Sequence, residues 1–319
     1  MLDNKGFDEW SKIYDEHVEE DKFPFIGYKK VLFSLLELVE PINDLKVLDV
    51  GIGTGGLAAD LAKRGCLIYG IDFSAMMLKT AKTRIPNGNF NQVDVSKNYL
   101  GSFSNQKFDR IISSYFSHHL NTNQKIDFIQ KAINQNLSIG GKIIIADIAF
   151  YSKNDFKNGQ NIFSSSWDQD EYYLCYKTFS KLLNQEGINS KYNQISDCAG
   201  IMIIDKIYQG KSIKEYQASY NNPIKVIKGT KLNTTKKESE WPGWIWCTDS
   251  NNYEGWIPER YLQIENDMAI SLRAYNAKEL TITINEILHI YDEECGWFWC
   301  KNKNDEYGWI PKENIELKI

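Results

Sequence analysis

Val47-Leu-Asp-Val-Gly-Ile-Gly-Thr-Gly-Gly56 is the stretch on which the fold turns. Its opening is apolar and β-branched, as in a strand buried on both faces. Glycines then fall at 51, 53, 55 and 56, and Leu57 to Arg64 has the composition of a helix. Glycines let the backbone turn sharply and come close to a bound molecule. The helix start presents N–H groups without backbone partners and the positive end of a dipole. Strand, spaced glycines and helix together predict a cradle for a ligand with a polar or charged group.

The same alternation runs outward from this point. Strand-like runs are KVLDV (46–50), CLIYGID (66–72), NFNQVDV (89–95), FDRIISS (108–114) and KIIIADI (142–148). Helix-like stretches lie between and around them: 29–40, which stops before Pro41, 74–85 behind a Ser74 cap, 121–137, and about 168–185. Alternating strand and helix predict a parallel sheet with right-handed crossovers. NSKYNQIS and GIMIIDKIY follow without a helix between them and predict an antiparallel hairpin at the sheet edge.

Two cofactors compete for the glycine turn. Gly51, Gly53 and Gly56 satisfy GxGxxG, the dinucleotide pattern. Gly51, Gly53 and Gly55 satisfy GxGxG with Asp49 two residues ahead. A carboxylate there suits S-adenosylmethionine, whose methionine end carries an ammonium beside a cationic sulfur, and does nothing for a pyrophosphate. Asp72 ends the second strand, where a carboxylate can accept both ribose hydroxyls. Asp94 ends the third and can take an exocyclic amine.

These motifs resemble those of class I S-adenosylmethionine-dependent methyltransferases of the small-molecule type. VLDVGIGTGGLA is similar to the family's first motif, GIDFSAMMLKTAK to its acidic strand end, FNQVDV and FDRIISSYFSHHL to its third and fourth strands, and GGKIIIAD to its fifth. WSKIYDEHV near the start resembles its W-x-x-x-Y-D segment. The resemblance covers residues 1–210 and implies a Rossmann-like, seven-stranded α/β sheet ending in an antiparallel hairpin. It implies that Asp49, Gly51, Gly53 and Gly55 surround the methionine portion and that Asp72 holds the ribose. Phe73 and Met77 would pack on adenine, Asp94 and Val95 would read its edge, and Ser113 would join the cofactor set. The product would be S-adenosylhomocysteine.

Ligands in such sheets sit beyond the carboxyl ends of the strands. The fourth strand delivers Ser113, Ser114, Tyr115, Phe116, His118 and His119 there. Methyl transfer from a sulfonium needs positioning above all, and a base only where the acceptor starts protonated. His118 and His119 are the titratable candidates; as neighbours on a loop, at most one is expected to reach the chemistry. Tyr115 and Tyr14 complete the catalytic candidates. Tyr14 also shares a helical face with Phe7, Trp10 and Val18, which suits plain packing.

Seven of the nine tryptophans fall after residue 240. There GWIWCTDSNNYEGWIP (243–258) repeats as GWFWCKNKNDEYGWIP (296–311), each an aromatic β-hairpin in sequence form. The repeats resemble tandem bacterial SH3-like domains, which implies two small all-β barrels. The expected division is a methyltransferase domain at 1–210, a linker at 211–223, and barrels at 224–266 and 267–319. Arg273 and Asn314 stand where SH3 domains carry ligand tyrosines, whereas Tyr261 is retained. Trp246 and Trp299 are expected in the cores. Trp244, Trp297 and Tyr261 are the candidates for a partner or self-association surface.

Composition narrows the function. The 319 residues carry a net charge of −5 at a pI near 5.6, and the last 104 alone carry −4, so a nucleic-acid partner is not expected. There is no Asn-Pro-Pro-Tyr-like run after the fourth strand and no Pro-Cys pair. No membrane span or secretory leader is legible, and six cysteines without a CxxC or Cys/His cluster suggest free thiols in the cytoplasm and no metal. The expectation is a bacterial cytoplasmic enzyme methylating a small molecule. A non-catalytic S-adenosylmethionine-binding adaptor, a protein methyltransferase and a nicotinamide oxidoreductase are the alternatives.

Overall fold

The computed structural model describes residues 18–40, 42–219, 222–235, 237 and 241–318. The chain divides into two compact units. One contains Leu45–Asp205 and the described residues before Pro41; the other contains Lys206–Ile319 with Ile42–Asp44. Phe7, Trp10 and Tyr14 lie outside the described residues.

In the first unit, helix α1 (Tyr28–Val39) precedes β1 (Lys46–Val50), α2 (Gly56–Lys63), β2 (Leu67–Asp72), α3 (Ala75–Arg84), β3 (Asn89–Gln92) and β4 (Phe108–Ser114). Then come α4 (Thr122–Lys131), β5 (Leu137–Phe150), α5 (Lys153–Ile162), β6 (Leu174–Cys175), α6 (Tyr176–Gln185), β7 (Ser190–Gln194) and β8 (Ala199–Asp205). The sheet order is β3-β2-β1-β4-β5-β8-β7, with β6 pairing β5. Strands β1 to β5 pair in parallel, and β8 runs antiparallel to both β5 and β7. This is the seven-stranded sheet with a closing hairpin that the sequence predicts. Its central strands are buried: Val47, Leu48, Ile112 and Ile144 are completely covered. Helix starts follow the expected caps. Ser74 accepts from the backbone of Met77 at 3.2 Å, and Asn121 forms a reciprocal capping box with Gln124.

Two expectations shift. The third strand stops at Gln92, so Asp94 sits in the turn beyond it. The helix expected at 168–185 begins only at Tyr176, because Asp168 turns the chain by accepting from the Asp170 N–H at 2.8 Å. Helix α5, absent from the sequence reading, lies ahead of it.

The second unit is all-β. Its strands are β9 (Tyr208–Ser212), β10 (Lys225–Val226), β11 (Lys231–Thr235), β12 (Trp244–Thr248), β13 (Glu254–Pro258), β14 (Leu262–Glu265), β15 (Met268–Ser271), β16 (Tyr275–Asn276), β17 (Ile287–Glu294), β18 (Trp297–Lys301), β19 (Tyr307–Pro311) and β20 (Ile315–Lys318). They form sheets β13-β12-β11-β15-β14 and β19-β18-β17-β9-β20, with β10 and β16 paired separately. The repeat is structural. Trp244 pairs with Pro258 and Trp246 with Trp256 in one hairpin, as Trp297 with Pro311 and Trp299 with Trp309 in the other. The cross-strand tryptophans touch at 5.2 and 5.4 Å between ring centroids, the kind of pair that stabilises a small sheet.

The strands do not divide at 224–266 and 267–319. Strand β15, just past the first range, pairs with β11 and β14. Strand β9, ahead of and partly inside the expected linker, fills the gap between β17 and β20 of the later sheet. Without it, both neighbours would present unpaired edges. Tyr261 does not offer a surface: it is 1% exposed, with the Arg273 guanidinium 4.8 Å above its ring. Trp244 and Trp297 are half-buried and Trp246 is buried, whereas Trp299 stays partly exposed. Among the described residues no helix is long and apolar enough to cross a membrane.

Candidate active site

The glycine turn joins β1 to α2 at the point where the strand order reverses, between β1 and β4, the usual ligand position in an open α/β sheet. Gly51, Gly53 and Gly55 all take left-handed φ angles, of 74°, 56° and 79°, which side chains disfavour. Asp72 holds the turn. Its Oδ2 accepts the Gly53 N–H and its Oδ1 the Ser74 N–H, each at 2.9 Å. Asp72 also reaches the cavity wall.

Asp49 is 3% exposed, and its Oδ1 has no hydrogen-bond partner. Burial, with Asp72 adding repulsion, pushes its carboxyl up to about 7. A buried carboxyl left in this state is costly unless a cation or donor meets it.

A cavity of about 640 Å³ opens here. It is lined by Gly51, Gly53, Asp72, Phe73 and Met77, by Tyr115, His118, His119, Glu171 and Tyr173, and by Phe23 and Phe25. Of the residues expected at the cofactor, Asp49, Gly55, Asp94, Val95 and Ser113 do not line it. Asp94 is occupied locally: it accepts from Ser96 and from Lys97 Nζ at 2.7 Å. Burial raises its carboxyl, and these bonds outweigh that and hold it below the ordinary range. Val95 packs on the core. The Ser113 hydroxyl is buried without a partner.

Tyr115 follows β4 with φ 50°, in the left-handed region that a bulky residue rarely takes. Its hydroxyl is buried and unpartnered, and burial raises it well above the usual phenol range. His118 and His119 share a single 3-10 turn, Ser117–His119, and both reach the cavity. The turn brings their rings to 4.1 Å, so adjacency on the chain does not keep either from the cavity.

Asp147, inside β5, is the residue the sequence reading missed. Its carboxylate accepts from Ser117 Oγ at 2.6 Å, the His118 N–H at 2.8 Å and the Ile148 N–H at 2.8 Å, and its Oδ1 lies 2.6 Å from His118 Nδ1. Burial favours the neutral acid, but His118 and these donors outweigh it and lower Asp147 to about 2. Burial likewise works against a charged His118, and Asp147 overcomes it, raising the imidazole above its ordinary range. Burial and the adjacent His118 depress His119 to about 3. Glu171 was also missed; its only signal was an acidic run, Asp168 to Glu171, in a stretch expected to be helical.

Comparison with known proteins follows the same lines. The family described as "Methyltransferase domain" matches residues 47–141, and "Variant SH3 domain" matches residues 210–265. An uncharacterized methyltransferase of Geobacillus thermodenitrificans is 30% identical over 205 residues, 59% of this chain and 89% of that protein. One from Alkaliphilus oremlandii is 32% identical over 162 residues, 47% of this chain and 69% of its own. Among solved structures, magnesium protoporphyrin IX methyltransferase from Synechocystis with bound SAH aligns at 21% identity and a TM-score of 0.48, over 63% of this chain and 95% of that one. On sheet order, glycine turn and these relatives, the chain belongs to the methyltransferase family.

Proposed function

We propose that this chain transfers the methyl group of S-adenosylmethionine to a small-molecule acceptor. The observation that carries the reading is the buried, unpartnered Asp49 oxygen behind a glycine turn whose open side faces a cavity. An ideal Cβ at Gly53 would meet no atom within 4 Å, so this glycine borders free space. The residues fit a cationic amino-acid sulfonium. Asp49, from behind the turn, and the Gly51 and Gly53 backbone would take the methionine end, the Asp72 carboxylate on the cavity wall the ribose hydroxyls, and Phe73 with Met77 the adenine.

The bound donor supplies an already activated methyl group. This chain's residues then orient the acceptor in line and exclude water. Phe25, Tyr115 and Tyr173 form the aromatic acceptor wall. Asp147 raises the His118 imidazole above its ordinary range and occupies its Nδ1, while burial and the adjacent His118 depress His119 to about 3 and leave it a weak base. The reading therefore favours an acceptor that arrives as a neutral or deprotonated nucleophile.

In the second unit, the half-buried Trp244 and Trp297 line a separate cavity of about 520 Å³ with Glu254, Glu279 and Glu313. We assign this aromatic, acidic face to a protein partner or to self-assembly. Six free thiols suit a cytoplasmic setting.

The test is calorimetry with S-adenosylhomocysteine, followed by transfer of labelled methyl into fractionated extract. One product molecule should bind per chain, and label should enter the small-molecule fraction. Protection against melting by NADH and none by S-adenosylhomocysteine would overturn the assignment. Binding without transfer would leave a ligand-sensing adaptor.

A further inference from the structure

On the cavity wall, three metal-ligating side chains converge that methyl transfer itself does not require. His118, His119 and Glu171 each bring one ligand atom into a group whose members all lie within 4.8 Å of one another. Glu171 Oε1 is 3.6 Å from His118 Nε2 and 3.8 Å from His119 Nδ1. Bonds of about 2.0–2.2 Å around a tetrahedral ion place neighbouring ligand atoms roughly 3.4 Å apart. The two Glu171 distances are thus within a few tenths of an ångström of that spacing, and all three ligand atoms lie within 4.8 Å of one another.

Its surroundings are those of a metal site. Asp147 Oδ1 sits 2.6 Å from His118 Nδ1, which leaves Nε2 as the ring nitrogen on the side of Glu171. A carboxylate behind a ligating imidazole fixes the tautomer and raises its basicity. The two loops that carry the ligands are also tied together. The Tyr172 N–H donates to the His118 carbonyl at 2.8 Å, and buried Lys125 donates to the Leu120 and Tyr172 carbonyls. Ligands drawn from two loops are thus held in place before any ion arrives. Three protein ligands leave coordination positions open toward the cavity, the pattern of reactive rather than structural metal sites. The sequence showed no metal pattern because Glu171 lies 52 residues beyond His119.

We propose that His118, His119 and Glu171 bind one divalent transition-metal ion, with Asp147 as the positioning residue behind His118. Two imidazoles and one carboxylate suit zinc, cobalt or nickel rather than magnesium or calcium. The ion's open positions would face the methyl acceptor and could hold an oxygen, nitrogen or sulfur group of it as the deprotonated form. The binding claim goes beyond the transfer reading and stands or falls without it.

The experiment uses the full chain, stripped with a chelator and titrated with Co²⁺ and Zn²⁺ by calorimetry, with visible absorption for Co²⁺. We expect one ion per chain and tetrahedral or five-coordinate cobalt bands. Glu171→Gln and His119→Ala should weaken binding tenfold or more, and Asp147→Asn by about 10–100-fold. His289→Ala, on the second unit, should leave it unchanged. Each variant is checked for its fold by circular dichroism and thermal melting, so that loss of fold and loss of the ion are distinguished. Glu171→Gln, at a side chain 16% exposed against 8% for His118, is the variant least disturbing to the fold. Absence of binding, or binding that Glu171→Gln and His119→Ala do not alter, would overturn the proposal, with His118 then a plain imidazolium between two carboxylates.

Discussion

Asp72 closes the glycine turn on itself: its Oδ2 accepts the N–H of Gly53 at 2.9 Å across 19 residues of chain. The other oxygen accepts from Ser74, the cap of α3. One carboxylate therefore shapes the turn, starts a helix and lines the cavity.

Replacing Asp72 by Ala should act twice. S-adenosylhomocysteine affinity should fall by about 1–3 kcal/mol through loss of charge-assisted hydrogen bonds. The melting temperature should fall too, since two backbone donors lose their acceptor. Calorimetry and thermal melts of the same samples check both. Undiminished affinity in a folded variant would remove the ribose role.

Asp49 predicts a pH dependence with a definite sign. Its folded-state value, about 7, lies above the ordinary 3.8. Its contribution to the unliganded fold is therefore complete below pH 3.8 and is lost as pH rises through 7, by about 4 kcal/mol at most. Asp49→Asn should accordingly gain thermal stability over the wild type between pH 6 and 8. Binding runs the other way. The ionised carboxylate attracts the ligand ammonium, so wild-type affinity for S-adenosylhomocysteine should tighten across pH 6 to 8 while the Asn variant stays flat. Equal pH profiles for the two proteins would sink the assignment.

Gly51 and Gly53 should separate fold from ligand. A Cβ at Gly51 would come 2.4 Å from the Phe116 ring, and one at Gly53 would meet nothing within 4 Å. Both positions carry left-handed φ, costing an alanine roughly 1–2 kcal/mol. Gly51→Ala should therefore lose several kcal/mol of stability. Gly53→Ala should fold with a modest loss and instead bind S-adenosylhomocysteine at least tenfold more weakly, its methyl standing in the cavity. Chemical denaturation paired with calorimetry reads the two effects separately.

The glycine-turn side of the site was legible in the sequence, and little of the histidine side. Asp49, Gly51 and Gly53 fall within one strand and its turn, and Asp72 ends the neighbouring strand, so the alternating strand-helix pattern itself places them together. Asp147 was hidden within the apolar run of β5, where a strand pattern gives no reason to single out one acid. Glu171 joins the histidines only because Lys125 and Tyr172 fasten two loops together. In the tail, the hairpins followed from alternating aromatics. Strand β9, Tyr-Gln-Gly-Lys-Ser, has neither alternation nor apolar bulk to announce that it completes a sheet whose other strands begin at Ile287.

That borrowed strand changes what the tandem is. The barrel made first along the chain is an insert inside the one made last, entered after Ser212 and left before Ile287. During synthesis the later barrel stays unfinished until the final strand emerges, with β9 waiting for both of its neighbours. The pair is bound in stability as well: removing residues 287–318 would leave β9 with neither of its partners.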